Sequence, residues 1–524
     1  MKKLIVLLCF ASAVLAACNK LSVPEPQDFV SPETYFETEA QLQTALNGVY
    51  SVLTRNATYG SNMLGRLVLD GDESYDPYSQ DAYTVSDYTV SSNDALISSY
   101  WQYFYEGVNR ANMILDNIGR VQMDEAKRGV IRGQALFLRA YFYLMLVSRY
   151  ENIPLILHSA KTGSPADVQV PQSTPREVYE KIIADMTEAS TLVEDADVVK
   201  MGGKISKSAV WGVLARACLY MAGYPVHDVS KYADARMWAE KVISSGKHEL
   251  NPSYSQVFIN HCQDKYDIKE SIWEIEFWGN GSGNYEFSAG YVGRNNGIGN
   301  TQDPAVGYSA GMVRATRPLF NLFQTGDTRR DWAIAPFRYS GNPATSSNWT
   351  AAQIYDRYCG KWRRIYELIL PRSTTRTPTN FPLLRYSDVL LMFAEADNEV
   401  NNGPTAAAYN AINQVRRRGY NKPVNTPDAL VDLSGLSKSE FLEEIQDERS
   451  RELAFECLRK SDLVRWGIFL PKMKFVMNDA ATLTGTLAAT VQRTFTNASA
   501  RDVRWPIPAY EMGVNKSLVQ NPGF

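Results

Sequence analysis

Charged and apolar residues alternate in Glu448-Arg449-Ser450-Arg451-Glu452-Leu453-Ala454-Phe455-Glu456, and the pattern continues through Arg459, Asp462, Leu463, Arg465, Trp466 and Gly467. On a helix, Glu448 and Glu452 are four residues apart, as are Glu452 and Glu456, so all three lie on one face. Arg451 and Arg459 are within reach of these carboxylates. Charges between apolar residues need partners when they are buried. The stretch therefore predicts a helix with buried ion pairs.

Further charges occur in apolar surroundings earlier in the chain, at Arg385, Glu395 and Arg416. Together with the stretch that begins at Glu448, they predict a network of buried, paired charges with a structural role. The alternative is an active site, because catalytic groups are also charged side chains held close together. We favour the structural interpretation, since the charges are numerous and alternate in sign.

Helical spacing of apolar residues dominates the rest of the chain. Helix pairs recur at roughly 35 to 45 residues, a spacing typical of tetratricopeptide-like stacking. Ser173 or Thr174 is expected to cap a helix that has Pro175 at its first position, and Ser437 with Glu440 resembles a capping box. The predicted helices are 39–54, 100–121, 125–150, 175–192, 206–221, 232–244, 384–401, 405–418 and 437–466.

Two long stretches interrupt the helical pattern, at 70–94 and 279–311. Both are polar and rich in aromatic residues, and loops of this length are usually functional or disordered. Strand-like segments are few, with candidates at 271–278 and 381–384. We predict a mainly α fold in which tetratricopeptide-like helix pairs pack against an irregular, loop-rich half with few short strands.

The N-terminus has the pattern of an export signal. Lys2 and Lys3 precede an apolar run of about 12 residues, which is too short to span a bilayer. The run ends in Leu15-Ala16-Ala17-Cys18, which resembles the lipobox of a bacterial lipoprotein. We expect residues 1–17 to be a signal peptide, Cys18 to carry lipid, and 18–30 to be a tether. The alternative is an ordinary secretory signal with a chance cysteine.

Composition excludes several classes of protein. The 54 Lys and Arg nearly balance the 57 Asp and Glu, which argues against nucleic acid as a partner. Outside the signal segment, no run of 18 or more apolar residues predicts a further membrane span. Four cysteines are widely spaced without a Cys-x-x-Cys pair, so we expect them to be buried thiols. A single disulfide bridge between two of them is the alternative. The four are Cys218, Cys262, Cys359 and Cys457.

Signals for catalysis are weak. The four histidines form no His-Glu-x-x-His motif, and the chain has neither a Gly-x-Ser-x-Gly elbow nor a Walker A loop. Asp70, Asp72 and Glu73 form the best acidic cluster, for which a solvated loop or a weak calcium site is favoured over catalysis. Glycoside hydrolysis by two carboxylates that are close in space is a further alternative, because a sequence does not show which residues are close in space. We predict a protein that is not an enzyme and has no cofactor or metal.

Motifs spread over nearly the whole mature chain resemble the SusD/RagB family of Bacteroidetes outer-membrane lipoproteins. The Glu448 stretch and the C-terminal Gln520-Asn521-Pro522-Gly523-Phe524 are the most specific of them. Cys457 stands where the family usually has a glycine, and Lys460 and Ser461 stand where aromatic residues are common. The other matching segments are 101–118, 139–143, 152–155, 204–220, 235–250, 385–396, 413–418 and 507–515.

The resemblance implies both an architecture and a function. It implies an N-terminal helical region at 31–270 and a C-terminal region at 271–524 that contains the loop-rich binding segment. It implies a non-catalytic lipoprotein, anchored in the outer membrane and facing outward, that binds oligosaccharide. Its expected partner is a SusC-like TonB-dependent transporter, over which the lipoprotein sits as a lid.

Sugar rings have flat C–H faces on which aromatic side chains stack, and hydroxyls that polar side chains bind. Binding sites in the family usually draw on the early loop and on the irregular segment after the helix pairs, which match 70–94 and 278–308 here. We expect at least two of the predicted residues to touch ligand. The predicted platforms are Tyr75, Tyr78, Tyr88, Trp278, Tyr285 and Tyr291, with Trp349 as a further candidate; the polar partners are Asp72, Asn93, Asn284, Arg294 and Asn296.

Three other functions stay open. In the first alternative, the protein binds a peptide instead of a glycan, as expected for some relatives. In the second, the protein is a structural lid without affinity of its own for a ligand. The third, an enzyme, is the least favoured, because the motifs for catalysis are missing.

Overall fold

The computed structural model describes residues 35–67, 70–78, 84–159, 165–283, 288–485 and 487–524. Helices dominate these residues, as predicted. The α-helices are α1 Glu39–Tyr50, α2 Ala95–Asn117, α3 Glu125–Tyr150, α4 Pro175–Leu192, α5 Ala196–Val199, α6 Lys207–Ala222, α7 Lys231–Ser244, α8 Tyr254–Cys262, α9 Val292–Asn296, α10 Arg317–Leu322, α11 Arg329–Ala333, α12 Tyr386–Val400, α13 Ala406–Gly419, α14 Lys438–Leu453, α15 Arg459–Arg465, α16 Phe469–Ala480, α17 Ala488–Asn497 and α18 Ala509–Val514.

Helix starts follow the capping residues. Thr174 and Ser437 each form a capping box, with Glu177 and Glu440 respectively, as their sequence positions predict. The α2 helix starts at Ala95, five residues before the predicted start at 100. The reason is Asp94, whose carboxylate accepts the N–H groups of Leu96 and Ile97.

Neighbouring helices pack in a continuous row, in the order α2, α3, α4, α6, α7 and α12, with α13 and α14 against α12. The row confirms the tetratricopeptide-like stacking. Small residues permit the close approach of α2 and α3, because a Cβ at Gly107 would lie 2.5 Å from the Phe142 ring. Gly133 plays the same role where α3 meets α4, since a Cβ there would lie 2.9 Å from Leu192.

The strands that the structure describes are short, and each sheet has two of them. The strands are β1 Ser74–Tyr75, β2 Ile153–Pro154, β3 Gln172–Ser173, β4 Ser271–Ile275, β5 Arg314–Ala315, β6 Phe337–Ser340, β7 Thr345–Asn348 and β8 Phe381–Arg385. The antiparallel pairs are β1 with β5, β2 with β3, β4 with β8, and β6 with β7. The β4 and β8 strands fall on the two predicted segments, although β4 ends at Ile275 rather than at 278.

The predicted network of buried charges is confirmed. Glu452 lies fully buried and accepts hydrogen bonds from Arg385 at 2.8 Å and from Arg418 at 2.6 Å. Glu448 is equally buried and accepts a bond from Arg329 at 2.6 Å. Each acid thus has at least one guanidinium partner, as a buried carboxylate requires.

Two details of that prediction are wrong. The helix ends at Leu453, because Phe455 and Cys457 have left-handed backbone conformations with φ of 65° and 68°. Glu456 therefore lies beyond the helix that carries Glu452. The positive φ of Cys457 is one that glycine adopts without strain, which fits the glycine expected at this position from the family resemblance. Arg459 pairs with Asp72 rather than with the acids of α14.

The α3 helix is apolar and long enough to cross a membrane by length and composition. However, 83% of its apolar window is buried inside the fold, as in the core helix of a soluble domain. The four cysteines that the structure describes are free thiols, and Cys218, Cys262 and Cys359 are buried. The disulfide bridge left open by the sequence is therefore not formed in this structure.

Candidate functional site

A cleft of about 280 Å³ opens in the irregular half of the molecule. We call it the aromatic cleft, because three tyrosines line it together with amide and hydroxyl side chains. Its lining consists of Tyr78, Gly299, Asn300, Thr301, Gln302, Ser309, Ala310, Tyr339, Ser340 and Tyr358. None of these residues carries a carboxylate, an imidazole or a thiol, so the cleft can stack on and hydrogen-bond a neutral ligand.

Tyr78 is positioned by its own loop. The carboxylate of Asp76 accepts the N–H of Tyr78 at 2.9 Å, and the Tyr78 hydroxyl donates to the carbonyl of Ala310 at 3.1 Å. Burial raises the pKa of the Asp76 carboxyl to about 6. The Tyr78 side chain remains 58% exposed, so its ring is available to a ligand.

The floor of the cleft is built from tight turns around Tyr358. Gly299 and Gly311 lie against this ring, and a Cβ on either would come within 2.6 Å of it. The guanidinium of Arg314 lies 3.7 Å from the ring centroid on the Tyr358 face, a favourable cation–π distance. Asn300 closes the adjacent turn by donating to the carbonyls of Asp303 and Gly307. These contacts fix the Tyr358 ring in place.

The remaining wall is the β6–β7 hairpin, whose tip is joined to the floor by two hydrogen bonds. Gln302 accepts the N–H of Gly341 at 2.8 Å, and Asp303 accepts the N–H of Ala344 at 2.7 Å. The N–H groups of Ala344 and Ala305 lower the pKa of the Asp303 carboxyl below its ordinary value. The hairpin side chains are otherwise mostly exposed, so these bonds hold it over the cleft.

Several predicted residues lie in or beside the cleft. Tyr78 lines it directly. Trp349 follows β7, and its ring centroid lies 6.0 Å from that of Tyr358. The carbonyl of Arg294 accepts the N–H of Ala310, which places α9 behind the cleft floor. Tyr291, at the start of that helix, lies under the guanidinium of Arg376 at 4.4 Å.

Trp278 is 45% exposed and lies just after β4, where its N–H donates to the carbonyl of Ser288. Asn93 is also exposed, at the start of α2 beside Asp94, and it is not among the residues that line the cleft. Asn284 and Tyr285 lie outside the described residues. Of the predicted residues that the structure describes, only Tyr78 lines the cleft. Trp349 packs against the lining residue Tyr358, whereas Trp278, Tyr291 and Asn93 are not part of the lining.

Tyr75 and Tyr88 are core residues in this structure. Tyr75 is 0% exposed and donates its hydroxyl to the carbonyl of Tyr355 at 2.7 Å. Tyr88 is 3% exposed and packs against Phe469 and Met473. Neither ring presents a face on which a sugar could stack, so their assigned role is corrected from ligand platform to core packing.

Two of the predicted polar partners are also buried. Asp72 forms a two-pronged ion pair with Arg459, at 2.6 and 2.7 Å. Asn296 is 2% exposed and donates to the carbonyl of Leu64. The solvated loop expected around Asp72 is therefore wrong, because Asp70, Asp72 and Glu73 are buried, and cations pair with Asp70 and Asp72. Among the described residues, no group of three or more Asp, Glu, His or Cys could hold a metal ion.

Sequence reasoning missed Tyr339, Tyr358, Asn300 and Gln302. A signal for the two tyrosines was present, because Tyr339 and Tyr358 flank Trp349, which the sequence did single out. The roles of Asn300 and Gln302 depend on the turn between Asn300 and Ser309, which pair through a pair of backbone hydrogen bonds. No sequence pattern predicts that turn.

Two family models match the chain. The first is described as SusD family and matches residues 334–524. The second is described as starch-binding associating with outer membrane and matches residues 21–219. A relative from Formosa agariphila, SusD-like protein P2, is 26% identical over 547 residues, and the alignment covers 100% of both chains.

Solved structures have the same fold. A SusD homolog from Bacteroides thetaiotaomicron superposes with a TM-score of 0.85 at 28% identity, covering 94% of this chain and 98% of that one. Surface glycan-binding protein A from the same species, solved in complex with laminarihexaose, superposes with a TM-score of 0.70 at 20% identity, covering 92% and 99%. At that identity, the second likeness establishes the fold alone.

Proposed function

Since this chain belongs to the SusD/RagB family, we propose that it binds an oligosaccharide in the aromatic cleft. The observation that carries the proposal is the composition of the cleft. Tyr78, Tyr339 and Tyr358 supply ring surfaces, and amide and hydroxyl groups lie between them. A neutral sugar offers flat C–H faces to the rings and hydroxyls to the polar groups.

The lining also argues for binding rather than hydrolysis. Glycoside hydrolysis uses a pair of carboxylates that flank the scissile bond. The described lining has no acidic side chain, and the neighbouring Asp303 is held by the backbone N–H groups of Ala305 in its own loop and of Ala344 in the hairpin. The description of the N-terminal family model as starch-binding supports a glycan as the class of ligand.

We further propose that the protein acts at the cell surface. Lipid on Cys18 would anchor it in the outer membrane, and the description of the matching N-terminal family model supports that location. Tethering would keep the protein at a high effective concentration near a SusC-like TonB-dependent transporter. It would cover this transporter as a lid and deliver oligosaccharide to it. A Cys18→Ala variant should fold and bind glycan normally but be lost from the outer membrane. Retention of this variant in the membrane fraction would contradict the anchor.

The binding proposal is tested by calorimetry against a panel of oligosaccharides, with oligopeptides as a second panel. Tyr78→Ala and Tyr339→Ala should each weaken glycan binding roughly tenfold, because a lost contact of about 1.4 kcal/mol changes affinity by that factor. Tyr510→Ala is the matched control, because Tyr510 is 66% exposed and does not line the cleft. Full glycan affinity in both cleft variants would show that the glycan site is elsewhere. Binding of peptides but not of glycans would show that the ligand is a peptide.

A further inference from the structure

A second, larger cavity of about 640 Å³ lies in the helical half of the molecule. We call it the α2 groove, because it runs between α2, the segment after β2, and α18. Its surface is mainly apolar and includes Trp101, Tyr105, Ile156, Val168 and Leu518. It shares no lining residue with the aromatic cleft.

Hydrogen bonds hold the walls of the α2 groove at fixed positions. Gln169 donates to the carbonyl of Val514 at 2.8 Å, and Asn515 donates to the carbonyl of Val170 at 2.7 Å. On the α2 side, the Tyr105 hydroxyl donates to the carbonyl of Pro154 at 2.7 Å. These bonds hold the groove walls to one another, and binding sites are usually pre-formed in this way.

The apolar surface continues beyond the groove onto its rim. Val168 and Val514 are 43% and 41% exposed, and Tyr510 and Val519 on the same C-terminal segment are 66% and 71% exposed. Clusters of exposed apolar side chains on a folded protein mark interaction sites. A small molecule that filled the groove would leave this rim in water, whereas a polypeptide could cover both.

The charges of the groove have one sign. Its lining includes the carboxylates of Glu106, Asp167 and Glu511, and no lysine or arginine is among its described residues. Arg110 pairs with Glu106 from outside the lining. Burial raises the pKa of the Glu511 carboxyl, while hydrogen bonds from Gln102 and Trp101 act in the opposite direction. A cation that binds there would pair with the Glu511 carboxylate and offset its loss of hydration.

We propose that the α2 groove docks a segment of a partner protein that carries apolar side chains and a lysine or arginine. The apolar side chains would lie on Trp101 and Ile156, and the cation would pair with Glu511. This docking surface is independent of glycan binding, because it is built from other segments of the chain.

The test is selection from a phage-displayed library of random peptides about 12 residues long, a length that suffices for an anchor pattern in a groove. Wild-type protein should enrich sequences that combine lysine or arginine with aromatic or aliphatic residues. A synthetic peptide of the enriched sequence should bind roughly tenfold more weakly to Glu511→Gln, because one charged pair is lost. It should not bind to Val514→Lys, which places a cation in the groove. The Tyr339→Ala variant, altered only in the aromatic cleft, should bind it fully.

Val514 is 41% exposed, so Val514→Lys should fold, and unchanged glycan affinity of this variant verifies that it does. The proposal is overturned if the library enriches nothing over Val514→Lys, or if the enriched peptides are acidic. It is also overturned if Val514→Lys melts like wild type but loses glycan binding, because the groove would then belong to the glycan site.

Discussion

Asp303 accepts the backbone N–H of Ala344 at 2.7 Å, and this bond ties the tip of the β6–β7 hairpin to the floor of the aromatic cleft. The hairpin has little core of its own, because β7 is exposed along its whole length. Its position over the cleft therefore depends on a small number of polar contacts.

The first prediction concerns this contact. Asp303→Ala removes the acceptor for the N–H groups of Ala344 and Ala305, so the hairpin should become mobile and glycan affinity should fall roughly threefold or more, by the loss of preorganisation. Calorimetry measures the affinity. Asp428→Ala is the matched control, because Asp428 also accepts a backbone N–H, from Leu430, at an exposed site. Equal affinities of both variants would show that the hairpin does not shape the site.

The second prediction separates core tyrosines from cleft tyrosines. Tyr75→Phe deletes the hydroxyl that bonds the carbonyl of Tyr355, and it should lower the free energy of unfolding by about 1 kcal/mol. Glycan affinity should not change. Tyr78→Phe should instead lower glycan affinity with little change in stability, because it deletes the exposed hydroxyl bond to the Ala310 carbonyl that positions the ring at the cleft. Urea unfolding and calorimetry on both variants measure the two quantities, and a loss of glycan affinity in Tyr75→Phe would restore Tyr75 to the site.

The third prediction concerns the buried charge network. Glu452→Gln would leave Arg385, Arg418 and Arg329 without their shared acid in the interior. Breaking a buried pair in this way costs about 3 to 5 kcal/mol, which urea unfolding would detect. Glu249→Gln is the control, because the pair of Glu249 with Lys269 is exposed and such pairs contribute about 1 kcal/mol or less. Similar losses in both variants would contradict a structural role for the network.

The fourth prediction is a pH dependence of stability. Burial, partly offset by Arg459, raises the pKa of the Glu73 carboxyl from 4.5 to about 8. Between these values, the folded state keeps a proton that the unfolded state has lost, so the contribution of Glu73 to the free energy of unfolding falls as pH rises. The slope approaches about 1.4 kcal/mol per pH unit. Glu73→Gln mimics the protonated acid and should flatten the decline from pH 5 to 8.

Glu448 has the opposite effect on the pH dependence of stability, at acidic pH. Its burial would raise the pKa of the carboxyl, but Arg329, Arg451 and Arg416 outweigh it and lower the pKa to about 2. The stabilisation from this carboxylate is fully present above its ordinary pKa near 4.5 and is lost as pH falls towards 2. Thermal melts from pH 2 to 8 should therefore pass through a maximum, and Glu73→Gln should change only the limb above pH 5.

Much of the fold follows from local sequence. The periodicity of 125–150 predicts α3 to the residue, and Thr174 and Ser437 predict their caps because capping is a contact within one helical turn. The end of α14 was missed, since it depends on left-handed residues that are not glycines. Local signals therefore predict helices well where capping and periodicity agree.

The site was less predictable, because the direction of a loop aromatic depends on remote parts of the chain. Tyr75 and Tyr88 face inward because Tyr355 and Met473 receive their hydroxyls, 280 and 385 residues away in sequence. Tyr78, three residues after Tyr75, faces outward because Ala310 receives its hydroxyl. An aromatic-rich loop thus predicts that rings will matter, but not which of them face a ligand.

The buried charge network has a consequence for the response of the protein to a protease. Its pairs join distant segments: Arg329 and Glu448 are 119 residues apart, and Arg385 and Glu452 are 67 residues apart. A single backbone cut in the connection near Leu430, whose side chain is 91% exposed, would fall between the members of both pairs. The two fragments would stay bound to each other through the interior, so a nicked molecule would still migrate as one particle under native conditions and separate only when denatured.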